Sequence, residues 1–138
     1  MRKYTLIATL IALFFGPQIV SMDRSSSTKN LIEFEKSLGN FLKSKRETFL
    51  SKDTSMPVSF ARNLFPFKQN ILYIVEKYHI DRSTAEQIFM HTLSDIVLQE
   101  IALRNHTDNV KNIPNWNRGF SAVFHSNLDG IAESIFAE

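Results

Sequence analysis

Four histidines are the side chains of this 138-residue chain best suited to acid–base chemistry or metal binding. They are His79, His91, His106 and His125, and no two of them are four residues apart, the spacing that places two imidazoles on one helical face as zinc ligands. His91 and Asp95 do have that spacing. A carboxylate so placed could orient the imidazole for general-base catalysis or support a bound metal.

The same two residues also belong to a row of polar side chains at helical spacing that would face water: Gln87, His91, Ser94, Asp95 and Gln99. The chain has no cysteine, no glycine-rich phosphate loop and no serine in a Gly-x-Ser-x-Gly turn. The sequence therefore predicts no catalytic residue, no cofactor and no metal site. An enzyme that uses His91 and Asp95, with Glu86 or His125 brought near by folding, is kept as an alternative.

Three aromatic residues are candidates for contact with a partner: Phe65, Phe67 and Trp116. Phe65 and Phe67 flank Pro66 at a predicted helix junction, and Trp116 is the single tryptophan, in a stretch rich in asparagine. Aromatic side chains at such junctions can anchor protein interfaces, and they can equally seal the end of a hydrophobic core. The identity of the partner and the oligomeric state are left open by the sequence.

The segment from Ile71 to Ile88 resembles the helix-turn-helix of many DNA-binding repressors. Ile71 to Tyr78 would be the first helix and His79 to Asp81 the turn, with a second helix beginning at Arg82. His79 stands where the motif usually has glycine. The resemblance implies that side chains at the start of the second helix contact base edges in the major groove: Arg82, Ser83, Thr84 and Gln87.

The first 21 residues have the layout of a secretory signal peptide. Arg2 and Lys3 precede an apolar run from Thr5 to Phe15, and Gly16-Pro17 follows as a helix breaker. Cleavage is predicted after Ser21. An uncleaved membrane anchor is the alternative, but the apolar core is short for a spanning helix and the Gly-Pro pair would break it.

Export changes what the charge of the chain implies. The full sequence has 16 basic and 14 acidic residues, and the predicted signal peptide contains two of the basic residues and none of the acidic ones. Its removal leaves a formally neutral chain, which does not favour a nucleic-acid partner. We expect a secreted or periplasmic protein with no membrane segment after the signal peptide is removed.

A long helix from Ser83 to Arg104 is the element predicted to position these residues. Its apolar side chains recur at three- and four-residue steps, without an intervening glycine or proline. Ser83 and Glu86 are predicted to form a capping box at its start. Its apolar surface is too wide to be covered by one neighbour, so we expect a central helix contacted from two sides.

The remaining elements are also predicted to be helical. Residues 22–29 are polar and are predicted to be a flexible leader. Further helices are predicted from Asn30, with Glu33 in a second capping box, to about Phe49; from Pro57 to Phe65; from Pro66 to about His79; and from about Asn117 to Phe136, bent or split at Asp129-Gly130. The predicted fold class is all-α, a small bundle of four main helices plus one short helix, as a single domain over residues 30–138.

The predicted function is that of a small secreted helical protein that binds a protein partner, as an effector, an inhibitor or a periplasmic accessory protein. The alternatives are a DNA-binding helix-turn-helix protein and an enzyme that uses the His91–Asp95 pair. Asn105-His106-Thr107 also matches the acceptor pattern for N-glycosylation, which has meaning only if the chain enters a eukaryotic secretory pathway.

Overall fold

Helices account for all the regular secondary structure in residues 24–137, the part of the chain that this computed structural model describes, with side chains described from Thr28 onward. The α-helices are α1 (Arg24–Ser44), α2 (Arg46–Phe49), α3 (Ala61–Leu64), α4 (Lys68–Lys77), α5 (Arg82–Arg104) and α6 (Ser121–Phe136). Two 3-10 turns, Phe65–Phe67 and Val110–Asn112, and a π-helical turn, Trp116–Phe120, complete the set. The all-α class is confirmed. The predicted signal peptide and its cleavage after Ser21 lie outside the described residues.

α5 is the central helix, as predicted. Ile88 and Val97 are far enough apart along it to point in opposite directions, at ~100° per residue, and both are buried. α1 and α6 both pack against α5. Where α5 meets the end of α6, the rings of Phe89 and Phe136 have centroids 5.5 Å apart. Helix α5 is therefore covered from two sides.

Phenylalanine rings from nearly every segment fill the core. The largest fully buried side chains are Phe34, Phe49, Phe60, Phe89 and Phe124. Burying each of them contributes roughly 1.5–3 kcal/mol of transfer free energy. Because these rings come from α1, α2, the residue before α3, α5 and α6, their burial ties the first described helix to the last.

The start of α5 is capped differently from the prediction. Asp81 is the N-cap residue: its side chain accepts a hydrogen bond from the Thr84 N–H at 3.1 Å, and its own backbone is extended, with ψ 152°. Ser83 lies inside the first turn, so the predicted Ser83–Glu86 capping box is wrong. An aspartate in this place also puts a negative charge at the positive end of the helix dipole.

α1 begins at Arg24, well before the predicted start at Asn30, so the second predicted capping box is also wrong. Residues 24–29, predicted to belong to a flexible leader, are helical. They contain no glycine or proline, and a helix anchored by buried Leu31 and Phe34 extends over them at little cost.

The other predicted bounds are shifted by tertiary packing. The helix predicted from Pro57 to Phe65 is reduced to α3, because Pro57 and Val58 are buried in non-helical chain. The final helix starts at Ser121, after the π-helical turn, and continues through Asp129-Gly130 without a break. The expected split at that dipeptide is therefore wrong.

Two helices end on a histidine with a left-handed backbone. His79 follows α4 and His106 lies just beyond α5, each with φ 55°. After α4, the His79 N–H donates to the Glu76 carbonyl at 3.1 Å and the Ile80 N–H donates to the Val75 carbonyl at 3.2 Å, which together form a Schellman motif. Glycine is the usual residue at this position, because a Cβ in the left-handed conformation costs about 1–2 kcal/mol.

Replacing His79 with glycine is expected to stabilise the protein. The substitution removes the steric cost of the left-handed conformation and adds some chain entropy to the unfolded state, for a net gain of about 0.5–1 kcal/mol. Urea unfolding followed by circular dichroism measures the change. The matched control is His125→Gly, at an exposed position inside α6, where the same substitution should destabilise by about 0.5 kcal/mol. A less stable His79→Gly variant would show that contacts of the imidazole outweigh the backbone strain.

Candidate functional site

The predicted polar pair, His91 and Asp95, lies on one face of α5, but no hydrogen bond joins the two side chains. Both are half-buried, and the His91 Nε2 and Asp95 Oδ2 atoms are buried without a hydrogen-bond partner. An imidazole that no group orients is poorly placed to act as a general base. Across residues 24–137, no group of three or more histidine or acidic side chains is arranged to hold a metal ion.

Two further polar side chains are buried where α1 crosses α5. Thr92 is 3% exposed and its Oγ1 has no hydrogen-bond partner, and Glu35 is 4% exposed. A Cβ at Gly39 would lie 3.6 Å from a Glu35 carboxylate oxygen and 3.8 Å from the Thr92 methyl carbon, so the three residues adjoin. A buried hydroxyl without a partner costs about 1–3 kcal/mol. Removing this hydroxyl therefore tests whether it has a role.

Thr92→Val is expected to raise the free energy of unfolding by about 1 kcal/mol, because valine nearly keeps the shape of the side chain and removes the unpaired hydroxyl. Urea unfolding measures the difference. Thr48→Val, at an exposed position in α2, is the control and should change stability by less than about 0.5 kcal/mol. Destabilisation by Thr92→Val would show that the hydroxyl binds another group, and it would restore the enzyme alternative built on the neighbouring His91 and Asp95.

The turn that resembles a helix-turn-helix has the backbone of that motif, but one of its predicted base-contacting residues is not accessible. His79 adopts the left-handed conformation for which glycine is preferred. One of the four predicted base-contacting residues, Thr84, is buried, and the other three are exposed: Arg82, Ser83 and Gln87. Asp81 is also exposed and adds a negative charge where DNA phosphates would approach.

The predicted glycosylation acceptor is part of a loop anchor. The Asn105 side-chain amide donates to the Ser55 carbonyl at 2.7 Å. The neighbouring Arg104 guanidinium donates to the carbonyls of Ser51 and Thr54. The nitrogen to which a glycan would be attached therefore helps to hold this loop against the end of α5.

The three predicted contact aromatics lie in different environments. Trp116 is 5% exposed, with its ring centroid 6.1 Å from that of Phe124, so it belongs to the core. Phe67 is half-buried and meets Phe41 edge-on, with 5.9 Å between the ring centroids. Phe65 is 48% exposed. Of the three, Phe65 presents the large open aromatic surface.

Phe65 forms part of a cleft of about 420 Å³ between the α3 region and α6. All of its lining residues except Arg62 are apolar or small. The lining consists of Ala61, Arg62, Phe65, Gly130, Ile131 and Ser134. A Cβ added at Gly130 would meet no atom within 4 Å, so the missing side chain leaves the α6 wall open. The volume lies within the range typical of ligand-binding clefts, ~300–1,000 Å³.

Hydrogen bonds hold the two walls of the cleft together. The Asn127 side-chain oxygen on α6 accepts from the backbone N–H groups of Phe60 at 3.2 Å and Ala61 at 3.3 Å. It thereby satisfies backbone donors at the start of α3, whose own N-cap residue makes no side-chain hydrogen bond. The Asn127 amide in turn donates to the Val123 carbonyl at 3.1 Å. A cleft held in this way is preorganised, which lowers the entropic cost of binding.

Sequence reasoning finds Phe65 and misses the residues across from it. Gly130 is predicted only as a bend in the last helix, and neither Arg62 nor Asn127 stands in a recognisable motif. The signal that could have found the α6 wall is the pair Gly130 and Ser134, two small residues four apart on one helical face.

Comparison with known proteins assigns no family, since no protein-family model, curated protein sequence or solved structure matches the chain. Within residues 24–137, none of the helices combines the length and the hydropathy that crossing a bilayer requires. The function is therefore inferred from the residues and geometry of this chain alone.

Proposed function

We propose that this protein is exported and acts by binding a protein partner in the cleft beside Phe65. The observation that carries the proposal is the exposure of a large aromatic side chain next to a mostly apolar cleft. Binding energy at protein interfaces is concentrated in a few aromatic anchors that pack into pockets. Phe65 has the position of such an anchor.

The cleft fits a side chain donated by another protein. A bulky apolar side chain placed over Gly130 would contact Phe65 and Ile131, and its burial would contribute about 1.5–3 kcal/mol. That gain alone is too small for a specific complex, so further contacts are needed. Val123 lies seven residues before Gly130 on α6, close to the same face of the helix, and is 42% exposed, so it offers a further apolar contact.

One feature of the sequence supports export, and others support the binding of a protein. The basic start, short apolar core and breaker of residues 1–21 have the pattern of a cleaved signal peptide. The sequence contains no recognisable set of catalytic residues, which favours a binding protein over an enzyme. The neutral charge of the predicted mature chain favours a protein partner over DNA. An effector, an inhibitor and a periplasmic accessory protein are roles that such a chain can fill.

Export is tested by mass spectrometry of the protein isolated from the cells that make it. We expect an amino terminus at Met22 and recovery outside the cytosol, because signal peptidase cuts after a small residue such as Ser21. Recovery of the uncut chain from the cytosol would overturn export and return the DNA-binding alternative to consideration.

Phe65→Ser is expected to weaken partner binding at least about tenfold, because it removes the aromatic anchor and leaves the cleft in place. The measurement is a quantitative pull-down with the purified protein, from extracts of its own cells and of any host, over a range of bait concentrations. Tyr73→Ser is the matched control: it removes a side chain that is 66% exposed on α4 and does not line the cleft, so binding should persist. If no saturable partner is recovered, or if both variants retain it equally, the proposal fails.

A further inference from the structure

Two basic residues lie three positions from Phe65 in the sequence, one on each side. Arg62 lines the cleft and is exposed, and the Lys68 ammonium nitrogen lies 5.8 Å from the centroid of the Phe65 ring. No ion pair of either cation is found among the described side chains, where Glu100 pairs with Arg46 and Arg104. Two unpaired positive charges therefore border the apolar surface proposed to bind a partner.

On the α6 side of the cleft, negative charges lie outside the residues that line it. Gly130, Ile131 and Ser134 form the α6 wall and carry no charge. Asp129 and Glu133 are exposed on α6, and neither lines the cleft. At ~100° per residue, Asp129 lies to one side of Gly130 and the buried Ile131 to the other. The cleft thus has a positive rim, made of Arg62 in α3 and Lys68 at the start of α4, and a negative rim on the outer side of α6.

We propose, resting on the proposed function, that the occupant of the cleft is an acidic amphipathic segment of a partner protein. One bulky apolar side chain of that segment packs over Gly130 against the Phe65 ring. Carboxylates beside it face Arg62 and Lys68, where they form the ion pairs that these cations lack within the described chain. The negative rim at Asp129 and Glu133 fixes the orientation, since like charges facing each other are strongly disfavoured.

The same charges argue against a polyanion as the occupant. DNA, RNA or an anionic membrane would satisfy Arg62 and Lys68, but each would also bring phosphates towards Asp129 and Glu133. A protein segment can match the positive rim, the apolar centre and the negative rim in one contact.

The test uses the whole protein and three end-blocked peptides as probes. The first peptide has leucines at alternating three- and four-residue steps with glutamates between them. In the second, lysine replaces glutamate, and in the third, serine replaces leucine. We expect the leucine–glutamate peptide to bind saturably by fluorescence anisotropy, at least about tenfold more tightly than either of the others, and more weakly as salt rises.

Substitutions in the protein test whether the leucine–glutamate peptide binds in the cleft. Arg62→Glu and Lys68→Glu should each weaken binding of the leucine–glutamate peptide about tenfold, whereas Lys77→Glu, the same charge reversal at the other end of α4, should not weaken it. Gly130→Leu should block binding by filling the cleft. Gly119→Leu is its control, because a Cβ there also meets no atom within 4 Å and the residue does not line the cleft. Circular dichroism confirms that each variant is folded.

The outcomes separate this inference from the proposed function. If the glutamate and lysine peptides bind alike, or if Arg62→Glu binds the acidic peptide as well as the unaltered protein does, the acidic occupant is wrong. A natural partner that still depends on Phe65 would then leave the proposed function standing. Self-association that Phe65→Ser abolishes, seen by analytical ultracentrifugation, would assign the cleft to a second copy of the chain and overturn the inference.

Discussion

The two-sided burial of α5 is the constraint on which the rest of the described structure depends. Because Ile88 and Val97 are buried on opposite sides of the helix, more than one neighbour must cover it. α1 and α6 supply much of that cover, and displacing either would expose apolar surface to water. The end of α5 also holds a connecting segment, since Arg104 and Asn105 donate hydrogen bonds to the loop that follows α2. The position of α5 thus sets the position of its neighbours.

The long helices are predictable from the sequence because their signal is local. Apolar residues of α5 and α6 recur with the period of a helix, and that period is carried by consecutive residues. The ends are harder to predict, because several residues can serve as caps at similar free energy. Asp81 and Ser83 can both accept a bond from a first-turn N–H, and the sequence does not rank them. The end of α4 is also hard to predict from the sequence. Glycine is the usual residue at this left-handed position, and His79 occupies it here.

The candidate site is predictable only in part, because its two walls come from distant parts of the chain. Phe65 is conspicuous as an aromatic residue beside a proline. The hydrogen bonds that fix the opposite wall span 66 and 67 residues, and no local pattern relates such positions. Trp116 shows the converse case, since it stands in a polar stretch and yet packs against Phe124 in the core. Whether an aromatic side chain is buried or open is decided by tertiary packing.

The hydrogen bonds between Asn127 and the backbone of Phe60 and Ala61 determine at which stage of folding the cleft forms. α3 has four residues and cannot be stable by itself, and the groups that satisfy its first donors come from the last helix of the described chain. A nascent polypeptide in which α6 has not yet been synthesised therefore contains Phe65 but lacks the α6 wall of the cleft. The cleft forms only once α6 has docked, so the partner binding proposed for it would have to follow that step.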